Sequence, residues 1–263
     1  MPRSKIAITI KDDLLHRLDR AIDGETIRNR SHAIEYFLDK ALGAKVEKAL
    51  LIGGYKDFSL NMLFEGKPII ERQLELLQKR GVKEVLLWLH ENEKGLQKLV
   101  GDGSKYGLRI LYQWQTSEHV GTAYITSVAR KFFGEDSFFV LYGDVVTDID
   151  LADFAAYHEE TNSVATVALT SIQDPSLYGS VQMRGKKIVG FTEKPKEKEV
   201  SRVISAGMFC VSPEIFEYIP KGKAASLEQD VFPRLAAEGK LAGYVFEGSW
   251  CNVRNKLCLP PKK

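Results

Sequence analysis

Residues 48 to 89 read KALLIGGYKDFSLNMLFEGKPIIERQLELLQKRGVKEVLLWL, a pattern of strand, loop, helix and strand. The apolar runs at 48–54 and 84–89 predict two buried strands, and the helical periodicity of 68–81 predicts the helix between them. Similar segments continue this alternation further along the chain. Short buried strands separated by helices are typical of an α/β domain whose mostly parallel sheet is covered on both faces. We therefore predict such a domain over residues 46–263, with its ligand site beyond the carboxyl ends of the strands.

The composition is that of an ordinary globular protein. With 263 residues, 44% hydrophobic and 27% charged, the chain is long enough for one large domain or for a small one plus a medium one. The sequence contains no apolar run long enough to span a bilayer, and its charged start is unlike a signal peptide, so we expect a cytoplasmic protein. The three cysteines, Cys210, Cys251 and Cys258, show no paired spacing and are predicted to be reduced thiols.

The first 45 residues are predicted to form a separate module of one strand and two helices (β-α-α). The run KIAITI at 5–10 alternates strictly, which predicts a strand. The segments LLHRLDRAI at 14–22 and NRSHAIEYFLDKAL at 29–42 have the spacing of amphipathic helices. A module this small cannot bury its apolar surface alone, and a lone strand leaves its backbone edge unpaired. We therefore expect two chains to pair through this strand, as a homodimer or a higher even oligomer.

These three segments resemble the ribbon-helix-helix family of DNA-binding proteins, in which a two-stranded ribbon enters the major groove. The resemblance implies DNA as a partner, with one face of the strand on the bases and the start of the second helix on a phosphate. The residues implied in DNA contact are Arg3, Lys5, Ala7, Thr9, Arg28, Asn29, Arg30 and Ser31. A dimerisation arm with no DNA role is the alternative.

From about residue 48 to residue 254 the chain resembles the sugar-1-phosphate nucleotidyltransferases, closest to the mannose-1-phosphate guanylyltransferase and glucose-1-phosphate thymidylyltransferase branches. The matching stretches include GKPIIERQLELLQKRGVKEV, FFVLYGDVVTDIDL, GFTEKP and SLEQDVFPRLAAEGKLAGYVFEGSW. The resemblance implies a Rossmann-like, mixed-sheet domain of the GT-A-like type. It also implies a reaction in which a sugar phosphate oxygen attacks the α-phosphorus of a nucleoside triphosphate and pyrophosphate leaves.

The resemblance assigns roles to particular residues. It implies that Asp144 is a magnesium ligand, that Asn252 stands at the position of a second carboxylate ligand, and that Glu193 and Lys194 hold the sugar and its phosphate. The other residues implied to bind the ligand are Gly53, Gly54, Gly121, Thr122, Tyr178, Gly179, Ser205, Ala206 and Gly207.

Two stretches depart from the family's pattern. Between Gly54 and Gly66 the phosphate loop is shortened, and it lacks the family's third glycine, its arginine and its first lysine. Near the other end, Asn252 replaces an aspartate and Arg254 a glycine. A neutral amide holds magnesium less well than a carboxylate, and loss of a charge-stabilising group typically costs ~3–4 kcal/mol of transition-state stabilisation. We therefore expect no catalytic residues, and a magnesium ion held weakly, if at all, by Asp144 with Asn252.

These observations favour a DNA-binding transcriptional regulator whose inactive nucleotidyltransferase-like domain senses a nucleotide, a sugar phosphate or a nucleotide sugar. One alternative is an active enzyme that converts a nucleoside triphosphate and a sugar 1-phosphate into a nucleotide sugar and pyrophosphate, and that carries a DNA-binding head. Another is a structural DNA-organising protein whose large domain only oligomerises.

Overall fold

The computed structural model describes residues 6–25, 27–42, 46–53, 57–115, 120–196 and 201–259. The chain divides into two compact units, Met1–Ala44 and Lys45–Lys263. The predicted assignment of residues 1–45 and 46–263 to two functional domains stays a prediction. None of the helices in the described ranges combines the length and the apolar character that a membrane span requires.

The first unit contains helices α1 (Asp12–Arg20) and α2 (Arg30–Leu42). They enclose a small apolar core of Leu18, Ile27 and Ala33. Residues 6–10 form no strand, so the predicted strand is absent from the single chain. A strand is held by backbone hydrogen bonds to a neighbour, and no described segment pairs with residues 6–10. Pairing of two chains through this segment stays a prediction.

The predicted DNA contacts of the first unit are only partly described, because Arg3 and Lys5 lie outside the described residues. Asn29 accepts a hydrogen bond from the backbone N–H of His32 at 2.9 Å, which satisfies a free donor at the start of α2. Arg30 donates to both carboxylate oxygens of Asp19, at 2.6 and 2.8 Å. Asn29 and Arg30 therefore serve contacts within the unit. Of the other predicted contacts, Ala7, Thr9, Arg28 and Ser31 are exposed.

The second unit is built on a nine-stranded mixed sheet in the order β5-β4-β1-β6-β11-β8-β12-β10-β9. The described strands of this unit, which include those of two smaller sheets, are β1 (Lys48–Gly53), β2 (Leu63–Phe64), β3 (Lys67–Pro68), β4 (Glu84–His90), β5 (Arg109–Gln115), β6 (Phe138–Tyr142), β7 (Val145–Thr147), β8 (Ala165–Ser171), β9 (Gly179–Arg184), β10 (Lys187–Glu193), β11 (Val203–Val211), β12 (Leu241–Val245), β13 (Trp250–Asn252) and β14 (Leu257–Leu259). Its described helices are α3 (Ile69–Lys79), α4 (Lys94–Val100), α5 (Thr122–Val128), α6 (Arg130–Phe133), α7 (Leu151–Thr161), α8 (Ile215–Tyr218) and α9 (Phe232–Ala237). The predicted α/β domain with a mixed sheet is confirmed.

Parallel pairing is confined to part of this sheet, so the expectation of a mostly parallel sheet is wrong. Strand β1 pairs in parallel with β4 and β6, and β4 with β5, whereas β11 runs antiparallel to both β6 and β8. Strand β1 is buried on both faces: Ala49 and Leu51 pack into one apolar core, and Leu50 and Ile52 into the other. The continuous apolar run at 49–53 is therefore the consequence of a sheet covered on both sides.

The turn after β6 is fixed by a buried glutamine on α3. Gln73 is 3% exposed, and its Nε2 donates to the carbonyl oxygens of Tyr142, Gly143 and Val145 at 3.1, 3.1 and 2.8 Å. The N–H of Gly143 donates to Ile52 at the end of β1, at 2.8 Å. These bonds hold Asp144 at the carboxyl end of two parallel strands, where the sequence predicted a ligand site.

A three-stranded sheet, β14-β13-β7, brings the end of the chain's described part to this turn. Asn252 of β13 is opposite Val145 of β7, and the N–H of Val253 donates to the carbonyl of Asp144 at 2.8 Å. Cys251 and Cys258 face each other across β13 and β14 and are joined by a disulfide. The prediction of three reduced thiols did not include this pairing, since spacing in the sequence could not show that a hairpin aligns the two residues.

Burial of His158 on α7 leads to a testable pH dependence. The imidazole is 4% exposed and bonds through its two nitrogens to the hydroxyls of Thr166 at 2.8 Å and Ser212 at 3.0 Å. Burial lowers its pKa from 6.5 to about 4. Because the unfolded chain binds a proton below about pH 6.5 and the folded chain does not, stability is lost as the pH falls from there towards about pH 4. We expect this group to reduce the free energy of unfolding by about 2 kcal/mol between pH 7.5 and pH 5.

Urea unfolding of the native protein and of His158→Gln at the two pH values measures this contribution. The amide can still bond to Thr166 and Ser212 but does not titrate, so the variant should lose about 2 kcal/mol less than the native protein on acidification. Equal losses in both proteins would show that His158 does not titrate as its burial implies.

Candidate functional site

A cavity of about 510 Å³ opens beside Asp144 in the second unit. It is lined by β11, by the ends of β6 and β13, and by the segments at the starts of β9 and α5. The predicted site residues that line it are Thr122, Asp144, Tyr178, Gly179, Glu193, Lys194, Ser205, Ala206, Gly207 and Asn252. The fold therefore brings together residues that are separated by up to 130 positions in the sequence.

Of the predicted glycines that the structure describes, Gly53 and Gly121 are not among the lining residues. Gly54 lies outside the described residues. A Cβ on Gly53 would lie 2.5 Å from the Leu60 side chain, so that glycine serves close packing beneath the site. A Cβ on Gly121 would overlap the carbonyl oxygen of Ala225, so Gly121 allows the backbone before Thr122 to approach that segment. Ligand binding by Gly53 and Gly121 stays a prediction.

Asp144 is a buried carboxylate with one oxygen unsatisfied. Its Oδ2 accepts a hydrogen bond from the Asn252 Nδ2 at 3.2 Å, but its Oδ1 is buried without any hydrogen-bond partner. Burial raises the pKa of this carboxyl above its usual range, and the hydrogen bond from Asn252 opposes that effect. A buried, unsatisfied carboxylate oxygen is costly unless a cation or a donor reaches it.

The donor set around Asp144 fits a magnesium ion that takes most of its ligands from elsewhere. Within the described ranges, no group of three or more His, Cys, Asp or Glu side chains could hold a metal ion. The Asn252 Oδ1 accepts from the N–H of Asn255 at 2.8 Å, which leaves the orphaned Asp144 oxygen as the strongest donor. Magnesium in phosphoryl-transfer sites is commonly held by one or two carboxylates, with water and substrate phosphates completing its shell.

Glu193 and Lys194 form a wall of the cavity at the end of β10. Burial raises the pKa of Glu193, and the Lys194 ammonium 3.9 Å away opposes this. Lys194 has a φ of 45°, an uncommon conformation for a residue with a side chain, and its N–H donates to the Tyr178 carbonyl at 3.0 Å. Such conformations cluster at functional sites, where the surrounding structure enforces them. The arrangement presents one acidic and one basic group to the same ligand.

Two aromatic residues, Tyr178 and Trp250, also line the cavity and form its aromatic floor. Trp250 is fully buried, and its indole N–H donates to the carbonyl of Ala206 at 3.0 Å. Its ring meets that of Tyr178 edge to face, with centroids 5.7 Å apart, and the Tyr178 hydroxyl accepts from Asn255 at 3.2 Å. Gly207, next to Ala206, has a φ of 75°, which favours glycine at that position. The pocket is therefore held by packing as well as by hydrogen bonds.

Glu228 is a cavity residue that the sequence analysis missed. It is buried, its Oε2 accepts from the hydroxyls of Thr122 and Ser226 at 2.8 Å each, and its Oε1 accepts from the Tyr142 hydroxyl. Burial raises its pKa. The available signal was its place in SLEQDVFP, one of the stretches that match the family, because a carboxylate that becomes buried there has to be paired.

Asp57 and Arg254 form an ion pair at the cavity. The Arg254 Nη2 donates to both carboxylate oxygens of Asp57, at 2.8 and 2.9 Å, and both residues line the cavity. The hydrogen bond from Arg254 lowers the pKa of Asp57. The sequence had identified Arg254 as a departure from the family's pattern but did not predict it in the site, and it gave no sign of Asp57, because the two are 197 positions apart.

Comparison with known proteins shows what the sequence and the fold of this chain resemble. The model of the family described as Nucleotidyl transferase matches residues 60–255. A mannose-1-phosphate guanyltransferase of Yarrowia lipolytica is 33% identical over 218 residues, which are 78% of this chain and 59% of that protein. The mannose-1-phosphate guanyltransferase beta-A of Xenopus laevis is 32% identical over 78% of this chain and 60% of that protein. This chain thus spans about three-fifths of the length of these relatives.

A similar fold is seen in a crystal structure of "a Putative Glucose-1-Phosphate Thymidylyltransferase from Bacillus anthracis", solved in complex with a sucrose. The two structures superpose with a TM-score of 0.72 over 78% of this chain and 89% of the other. At 20% sequence identity, this likeness shows the fold alone.

These comparisons correct part of the sequence analysis. The prediction of a DNA-binding transcriptional regulator is wrong, because relatives at 31–34% identity over most of the chain are named as mannose-1-phosphate guanylyltransferases. The expectation of an inactive domain loses its support for the same reason, and the alternative of an active enzyme is favoured. The resemblance of the first module to ribbon-helix-helix proteins is not shown by these comparisons.

Proposed function

The chain belongs to the nucleotidyl transferase family, and from that premise we propose that it is a sugar-1-phosphate nucleotidyltransferase. Its substrates are a nucleoside triphosphate and a sugar 1-phosphate, and its products are a nucleotide sugar and pyrophosphate. The names of the relatives favour GTP and mannose 1-phosphate. The observation that supports the proposal most is the buried, unsatisfied oxygen of Asp144 in a cavity that also contains Glu193 and Lys194.

In the proposed reaction, an oxygen of the sugar phosphate attacks the α-phosphorus of the nucleotide. A new P–O bond forms, the bond from the α-phosphorus to the bridging oxygen breaks, and pyrophosphate leaves with that electron pair. Negative charge is concentrated on the phosphoryl oxygens throughout, so the site has to supply positive charge and orientation.

The residues of the cavity divide these tasks. Asp144, with the Asn252 amide beside it, would hold the magnesium ion. A magnesium ion bound there supplies charge neutralisation for the phosphates. Lys194 attracts the phosphate of the sugar, and Glu193 accepts hydrogen bonds from its hydroxyls. The aromatic floor of Tyr178 and Trp250 excludes water from one side of the sugar.

A pyrophosphate-release assay tests the proposed function. Purified protein is incubated with magnesium, with each of GTP, ATP, UTP, CTP and dTTP, and with mannose 1-phosphate or glucose 1-phosphate in turn. We expect release to require both substrates and to be fastest with GTP and mannose 1-phosphate. Absence of release above a chelator-treated control for every pair would overturn the proposal.

Replacing Lys194 tests the sugar phosphate position. We expect Lys194→Ala to raise the KM for the sugar 1-phosphate by about tenfold or more, because a hydrogen bond to a charged group contributes ~1.5–3 kcal/mol. The KM for the nucleotide should change less. Lys196→Ala is the matched control, since Lys196 is exposed and does not line the cavity. A KM for the sugar phosphate that is the same in both variants would contradict the assignment.

A further inference from the structure

Arg254 and Asp57 occupy the part of the cavity where two distant segments meet. Arg254 follows β13, two residues after Asn252, whereas Asp57 comes shortly after the end of β1 and precedes β2. A single nitrogen of the guanidinium contacts both carboxylate oxygens, at 2.8 and 2.9 Å. The pair therefore joins the segment between β1 and β2 to the segment that follows β13, beside Asp144.

Acidic side chains outnumber basic ones in the described lining of the cavity, so few groups are available to bind an anionic ligand. The described lining contains four acidic side chains and two basic ones, and the ionisable groups are Asp57, Asp144, Glu193, Glu228, Lys194 and Arg254. Lys194 lies 3.9 Å from Glu193, at the wall assigned to the sugar phosphate. Among the described lining residues, Arg254 is therefore the basic side chain that has not been assigned to the sugar phosphate, and a polyphosphate is strongly anionic.

The ion pair is suited to exchange. The side chains of Arg254 and Asp57 are 39% and 65% exposed, and ion pairs with that exposure contribute little to stability. A guanidinium matches phosphate oxygens in a bidentate geometry as well as it matches a carboxylate. A ligand phosphate carrying more charge than Asp57 could thus take its place on Arg254 without a large loss to the fold.

We propose that Arg254 binds the polyphosphate of the nucleoside triphosphate, and that Asp57 occupies the guanidinium until the nucleotide displaces it. This assignment rests on the proposed function and adds a residue to it. It also places an arginine in the site, although the shortened loop between Gly54 and Gly66 has none. Asp57 then acts as an internal competitor that neutralises the arginine and holds it in the cavity.

Calorimetric titration with inorganic pyrophosphate in the presence of magnesium tests the assignment. We expect Arg254→Gln to weaken pyrophosphate binding by at least about tenfold and Arg254→Lys by a smaller factor, because lysine keeps the charge but not the bidentate fork. Asp57→Asn should strengthen binding by about three- to tenfold, since it removes the competitor while preserving the shape of the side chain.

Two controls separate this role from a structural one. Arg109 and Glu84 form a similarly exposed pair at 2.7 Å outside the cavity, so Arg109→Gln and Glu84→Gln should leave pyrophosphate binding unchanged. Thermal unfolding of each variant shows whether the fold is intact. A native-like affinity in Arg254→Gln, or equal weakening in Asp57→Asn and Arg254→Gln, would overturn the assignment.

The outcomes also distinguish the assignment from the proposed function. If the native protein makes a nucleotide sugar and Arg254→Gln keeps the native KM for the nucleotide, the assignment fails and the function stands. If the variants change pyrophosphate affinity as expected but the native protein releases no pyrophosphate from any substrate pair, the assignment stands and the function fails. No binding of pyrophosphate to the native protein would reject the assignment outright.

Discussion

Replacing Asp144 by asparagine is expected to lower the turnover of nucleotide sugar by at least about 100-fold, while it makes the fold more stable when no magnesium is present. The loss of turnover follows because the carboxylate is the strongest magnesium donor in the described site, and about 2.7 kcal/mol of transition-state stabilisation corresponds to a factor of 100. The gain in stability follows because the substitution removes a buried charge whose Oδ1 has no partner.

The raised pKa of Asp144 also indicates that its ionised carboxylate lowers the stability of the fold. Because burial raises this pKa in the folded state, the folded protein binds the proton more tightly than the unfolded chain does. The contribution of Asp144 to stability therefore falls as the pH rises through its unfolded pKa towards the folded one, and the ionised form destabilises the fold at neutral pH. An uncharged asparagine does not have this cost.

Steady-state kinetics and thermal unfolding in the presence of a chelator measure the two effects. Asp136→Asn is the matched control, since Asp136 is an exposed residue that pairs with Lys48 on the surface. We expect that variant to resemble the native protein in both measurements. Near-native turnover in Asp144→Asn would remove Asp144 from the proposed metal site. A lower unfolding temperature would show that its carboxylate is stabilised by a contact that the structure does not contain.

Replacing Gly121 by alanine is expected to cost about 2–3 kcal/mol in the free energy of unfolding. A Cβ at this position would overlap the carbonyl oxygen of Ala225 and lie 2.5 Å from that of Ala224. Because both neighbours are backbone atoms, the strain cannot be relieved by a rotamer change, and overpacking of this kind typically costs ~1–3 kcal/mol. The shift would also disturb Thr122, which donates to Glu228 at 2.8 Å in the cavity.

Urea denaturation measures this cost, with Gly95→Ala as the control. Gly95 lies in α4, and a Cβ there would have no atom within 4 Å. Alanine in a helix is favoured over glycine by roughly 0.5–1 kcal/mol, so the control should gain stability. If Gly121→Ala unfolds at the same urea concentration as the native protein, the close approach at Ala225 does not constrain the fold.

Much of the second unit could be predicted because its strands are long apolar runs. The run at 48–54 became β1, Lys48–Gly53, and the helix predicted at 68–81 became Ile69–Lys79. After Gly121 the structure forms two short helices, α5 and α6, which meet at Ala129. Periodicity gives the buried face of an element but only a weak indication of where it ends.

The site was harder to predict because it depends on contacts between distant segments. The resemblance assigns Asp144 and Asn252 to one metal site, which stays a prediction, and in the structure the Asn252 Nδ2 lies 3.2 Å from the Asp144 Oδ2. The contacts of Glu228 with Thr122 and of Arg254 with Asp57 have no local signature, since each joins residues more than 100 positions apart. The prediction of an inactive domain rests on two losses, the arginine of the shortened loop and the carboxylate replaced by Asn252. The sequence could not show that another arginine, Arg254, lines the same cavity, because only the fold brings it there.

The most direct test of an active nucleotidyltransferase is exchange of labelled pyrophosphate into nucleotide, which runs the proposed reaction in reverse. Protein, magnesium, GDP-mannose and ³²P-labelled pyrophosphate are incubated together, and labelled GTP is separated and counted. We predict labelled GTP that depends on the protein and on magnesium and that falls by at least about 100-fold in Asp144→Asn. Labelling at the level of the protein-free blank, with GDP-mannose and with the other nucleotide sugars, would contradict the account.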